Sequence, residues 1–122
     1  MNSERPRILG IFAHPDDAEL TCFGTLAALA EIGAEVQLVF LSKGEGSRSL
    51  TASQRKREAE AAGAVIGATV ALDHFEDGAV PATRHTFSRI EEHIRESEPW
   101  IIFTHFDRSG ADRFWCRRYG EC

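Results

Sequence analysis

The segment Ile8-Leu9-Gly10-Ile11-Phe12 is apolar without polar alternation, and largely apolar segments of five or six residues return at Val36 to Leu41, Val70 to Phe75 and Trp100 to Thr104. A strand that is apolar at successive positions has to be covered on both faces, which in proteins means a parallel sheet between two helical layers. The intervening segments supply those helices. Apolar residues recur at helical spacing from Ala18 to about Ile32, where Gly33 gives a stop. A second helix is expected with Ser53 as N-cap, through Arg57, Glu58, Ala61, Ala62, Val65 and Ile66 to Gly67. A third spans Thr86 to Ser97, with Phe87, Ile90 and Ile94 on its buried side and Pro99 just beyond. With strands at Arg7–Ala13, Glu35–Ser42, Val70–Phe75 and Trp100–Thr104, the order is strictly alternating. It predicts an α/β fold, a mainly parallel sheet with helices on both faces and right-handed crossovers.

A chain of 122 residues accommodates one ordinary core. Fourteen Lys and Arg against nineteen Asp and Glu give a net charge of −5, with the basic residues dispersed, which disfavours a nucleic-acid surface. No stretch has the length and apolarity of a membrane span, and Met1 to Arg7 lack the apolar core of a secretory signal, so the expected location is the cytoplasm. Cys22, Cys116 and Cys122 fit no zinc-finger spacing and read as reduced thiols, Cys22 packing on a helix face.

Chemistry concentrates where the first strand runs into the first helix, at Ala13-His14-Pro15-Asp16-Asp17-Ala18-Glu19-Leu20. In open α/β sheets, ligands and catalytic groups gather at the carboxyl ends of strands. His14 and Asp17 can reach one cation from a single turn, and imidazole with carboxylate is a partial set for Zn²⁺. Asp16 is then the spare carboxylate that takes a proton from a water molecule. Both aspartates could equally cap the orphan N–H groups of the helix that follows. No Gly-x-Gly-x-x-Gly follows the first strand, so dinucleotide binding is disfavoured.

These residues resemble the signature of the LmbE-like, or PIG-L, zinc-dependent deacetylases. The likeness continues through Gly24-Thr25-Leu26, Leu41-Ser42-Lys43-Gly44-Glu45-Gly46-Ser47, Arg57-Glu58-Ala59, Asp77-Gly78 and Phe103-Thr104-His105. It implies a Rossmann-like fold and hydrolysis of the acetyl group from an N-acetylglucosamine conjugate, a small-molecule substrate. It also implies Zn²⁺ on His14 and Asp17, Asp16 as general base, and a substrate side shaped by the blocks containing Glu45, Arg57 and Asp77. The oligomeric state is left open, a homo-oligomer included.

The likeness covers residues 7 to 105. Beyond it the family continues with a His-Pro-Asp-His-like block, whose last histidine completes the zinc site, whereas Phe106 to Arg113 here contain no histidine. Residues 1–105 therefore read as the N-terminal α/β region of such a deacetylase, truncated after its fourth strand, and 106–122 as an atypical tail. His105, at the end of that strand, is a substitute third ligand if the strand lies beside the first, and His74 is a weaker one. His85 and His93 read as helix-surface residues. The alternatives are a catalytically impaired chain that acts only by association, through apolar surface around Trp100, Phe103 and Phe106, and a Mg²⁺-binding receiver-like module built on Asp16 and Asp17.

Overall fold

The computed structural model describes residues 4–42, 51–76 and 79–105. The expectations for Glu45, Asp77, Phe106, Cys116, Cys122 and the 106–122 tail fall outside these residues. The elements follow one another as β1 (Arg7–Phe12), α1 (Asp17–Thr21), α2 (Phe23–Glu31), β2 (Glu35–Ser42), α3 (Ala52–Val65), β3 (Thr69–Phe75), α4 (Arg84–Ser97) and β4 (Ile101–Thr104). The four strands form one sheet in the order β3-β2-β1-β4, and every pairing is parallel. The expected α/β architecture is the one observed.

The alternation of side chains across the sheet explains the unbroken apolar runs. Ile8, Phe12, Val36, Leu38 and Phe40 pack on one face against Ala18 of α1, Leu26 of α2 and Ala59 of α3. Leu9, Ile11, Val39 and Leu41 pack on the other with Phe75, against Ile90 and Ile94 of α4. The chain thus changes face between β3 and β4, and the strand order reverses direction at the β1–β4 boundary. That boundary is the topological switch point at which open α/β sheets leave a crevice.

Several helix details differ from the expectation. The first helix is two: Thr21 Oγ1 donates to Asp17 O at 2.7 Å, and Cys22, with φ −138°, turns the chain between α1 and α2. Hydroxyl back-bonding of this kind bends helices. Leu20 is consequently exposed, while Cys22 packs against the core as expected. The N-cap of α3 is Thr51 instead of Ser53, because Thr51 and Gln54 form a reciprocal capping box. Thr83 likewise caps α4 and starts it two residues before Thr86.

The buried stripe of α4 includes Thr86, Ile90, His93 and Ile94, so Phe87 falls to one side of it and is 61% exposed. His93, expected on the surface, is buried, and its Nε2 lies 2.9 Å from Asp73 Oδ2. Arg89 Nε donates to the same oxygen at 3.1 Å, and the His74 backbone N–H donates to Oδ1 at 2.8 Å. Burial pushes the Asp73 carboxyl up, but the bonds from His93, His74 and Arg89 outweigh it and bring the pKa down to about 2.

Two outcomes are expected. Gly63 of α3 leaves room for β3, since a Cβ there would lie 2.5 Å from Val70 Cγ2 and 3.2 Å from Ala68 O. Gly63→Leu should therefore lower the unfolding free energy by about 1–3 kcal/mol in urea denaturation. Asp73 has a lower pKa folded than unfolded, so its contribution is full above about pH 4 and is lost as pH falls towards about 2. Thermal melts across that window should show a slope that is reduced in Asp73→Asn.

Candidate active site

The loop after β1 is held from both neighbouring strands. Ser42, fully buried at the end of β2, donates to Ala13 O through its backbone N–H at 3.0 Å and through Oγ at 2.9 Å. From the other side, Ala13 N–H donates to His105 Nε2 at 2.8 Å, just past β4. The His105 ring also meets Phe12 edge-on, with centroids 5.5 Å apart. Ser42 and His105 therefore fix the point from which the acidic turn departs. Sequence reading gave Ser42 no role, although it ends an apolar run and falls within the family-like block Leu41 to Ser47.

Within the turn, His14 and Asp17 bond reciprocally: Asp17 N–H donates to His14 O at 3.2 Å, and His14 N–H donates to Asp17 Oδ2 at 2.8 Å. The same Oδ2 lies 3.4 Å from His14 Nδ1 and 3.0 Å from His105 Nε2. The strand adjacency needed to bring His105 to this turn is thus present. A ring nitrogen has a single in-plane valence, so His105 Nε2 cannot both accept from Ala13 and donate to Asp17. The lone pair of His105 Nε2 is thus taken by the Ala13 N–H, and Asp17 Oδ2 and His14 Nδ1 are the two donor atoms of the turn that a cation can meet. His14 and Asp17 fit as two ligands, because donors bonded at 2.0–2.2 Å to one zinc stand roughly 3–3.5 Å apart. Among the described residues, however, no three such side chains form a complete ligand set.

Asp16 is the N-cap residue of α1 by position, yet its side chain makes no capping hydrogen bond. It lines a cleft of about 60 Å³ with Pro15, Glu19, Arg55, Glu58 and Ala59. Burial raises the Glu19 pKa, and the charges of Asp16 and Glu58 raise it further against the opposing effect of Arg55. Arg55, which the sequence did not single out, is the α3 cation beside Asp16, whereas Arg57 is exposed on the same helix. His74 lies at the end of β3, beside His85 instead of the β1 turn. A larger cleft of about 440 Å³ is lined by Arg5, Arg7, Glu35 and Thr69 among others, at the amino ends of the strands.

Strand order, switch point and an acid–imidazole turn at the carboxyl ends define an α/β protein with the site layout of a ligand-binding or hydrolytic domain. The chain matches the family described as PIG-L, GlcNAc-PI de-N-acetylase, over residues 9–113, and it belongs to that family. It is 56% identical over 39 residues to the 1D-myo-inositol 2-acetamido-2-deoxy-alpha-D-glucopyranoside deacetylase of Nakamurella multipartita, a match covering 32% of this chain and 13% of that protein. Over 82 residues it is 35% identical to the protein of the same name from Actinosynnema mirum, covering 67% of this chain and 29% of the relative. The chain therefore spans less than a third of the length of these relatives.

Among solved structures it resembles a conserved protein of Thermus thermophilus, with a TM-score of 0.77 and 27% identity, covering 88% of this chain and 52% of that one. It also resembles a 4-carboxy-2-hydroxymuconate hydratase of Pseudomonas putida, with a TM-score of 0.74 and 27% identity, covering 83% of this chain and 47% of that one.

The clamp on the turn is testable. His105→Ala removes the acceptor of the Ala13 N–H, and the expected loss is about 0.5–1.5 kcal/mol of stability. Amide exchange at Ala13 should accelerate accordingly, while that of the β1–β2 ladder should change less.

Proposed function

We propose that this chain carries the first half of an N-deacetylase site, acting on an N-acetylglucosamine conjugate. The observation that carries the reading is the convergence of His14, Asp17 and His105 at the β1–β4 switch point, in a chain of the PIG-L family. The deacetylases to which it is similar act, by their names, on an acetamido sugar joined to inositol, and that conjugate is the substrate class to test first.

His14 and Asp17 would hold Zn²⁺. When bound, the metal supplies polarisation of the acetyl carbonyl and a lowered pKa for water. Asp16 is the base: its carboxylate, uncommitted to capping, takes a proton from the attacking water. The water oxygen bonds to the acetyl carbon, the C–N bond breaks, and the proton held on Asp16 passes to the departing nitrogen. Acetate and a free amino sugar result. Arg55, with Glu45, Arg57 and Asp77, is assigned to the substrate side. With two ligands from the described residues, metal affinity should lie below that of a three-ligand site.

The same fold in the Pseudomonas putida relative bears the name of a hydratase, so fold alone does not choose the reaction. Acetate release is the discriminating readout, since addition of water to a double bond releases none. Asp16→Asn should retain zinc stoichiometry and lower kcat about 10²- to 10⁴-fold, whereas Asp17→Asn should lose zinc. Unchanged acetate release in Asp16→Asn would remove that residue as the base.

A further inference from the structure

We propose that His74 and His85 form a second metal site, separate from the β1 turn, that takes a late divalent transition metal with Cu²⁺ preferred. The two Nε2 atoms stand 3.0 Å apart although the residues come from different elements, the end of β3 and the first turn of α4. Two nitrogens bound side by side to one cation at about 2.0–2.1 Å are separated by roughly 3 Å, so little movement is needed to admit the ion.

The surroundings prepare the pair for this role. His74 Nδ1 lies 2.7 Å from Asp73 Oδ1, which assigns the ring proton to Nδ1 and leaves the Nε2 lone pair facing His85. The Asp73 side chain is 2% exposed and its other oxygen is committed to His93 and Arg89, so the orienting carboxylate cannot swing away. Both rings rest on Phe75, itself buried: His74 stacks at 4.6 Å and 25°, and His85 lies at 5.5 Å and 52°. Their outer edges meet solvent, which gives an ion access.

Imidazole suits Cu, Zn and Ni, and among these the Irving–Williams order places Cu²⁺ highest. No third such side chain joins the pair among the described residues, so solvent completes the coordination. In the metal-free state the contact is satisfied by one N–H donating to the other nitrogen. The site lies two strands from β1 along the sheet, roughly 10 Å away, and therefore does not share ligands with His14 and Asp17.

The test is a Cu²⁺ titration of the full chain, followed by NMR of the histidine rings and by electron paramagnetic resonance. Substoichiometric Cu²⁺ should broaden the His74 and His85 ring signals of the wild type. His85→Gln and His74→Gln should each weaken this binding at least about tenfold, with the binding at His14 and Asp17 retained. Sharp His74 and His85 signals in the wild type while other histidines broaden would overturn the proposal. So would wild-type Cu²⁺ affinity in both variants. The wild-type spectrum decides even where a variant fails to fold, and it is independent of the deacetylase reading.

Discussion

The parallel pairing of β4 with β1, in the register Ile8↔Ile101 to Ile11↔Thr104, is the constraint on which the candidate site depends. It carries His105 from a distance of 92 positions in the chain to the N–H of Ala13. It also creates the switch point, because among the described residues β2 and β3 lie on one side of β1 and β4 on the other. Without this ladder, the acidic turn would be anchored from the β2 side only, through Ser42.

The same sheet divides the molecule's polar chemistry into two groups. At the centre, Asp17 gathers two imidazoles around one oxygen, and Asp16 faces an α3 surface of mixed charge. At the β3 side, Asp73 is saturated by His93, Arg89 and His74, and its ion pairs tie α4 to the sheet. A buried carboxylate is tolerable only when each oxygen is matched in this way. On the β4 side of the described sheet the surface is apolar: Ile101 and Ile102 are both exposed, as is Trp100 before them. Phe103 packs against the core instead, so the exposed apolar surface expected around Trp100 is present without Phe103.

Membership of the PIG-L family and the site geometry support each other through different physics. The family match rests on sequence over residues 9–113, while the geometry rests on the switch point and on the competition for His105 Nε2. The weakest part of the sequence reading was the helical surface. Helical periodicity identifies a stripe about a hundred degrees wide, which puts Phe87 on the buried side of α4 and His93 on the surface, and the structure inverts both. The sequence of α4 admits either phase until the partner of His93 is known, and Asp73 lies on a different element.

The apolar runs by themselves determined an alternating α/β chain with a parallel sheet, because strands apolar on both faces have few other ways to leave water. The spacing within Ala13 to Leu20 also determined which side chains could share one turn, as local geometry depends only on neighbours. Tertiary structure decided the rest. It chose β4 as the neighbour of β1, brought His105 to Asp17, placed Arg55 beside Asp16, and set His74 against His85. Those contacts join residues far apart in the chain, and their free energy depends on the register and face of packed elements, which no local pattern encodes.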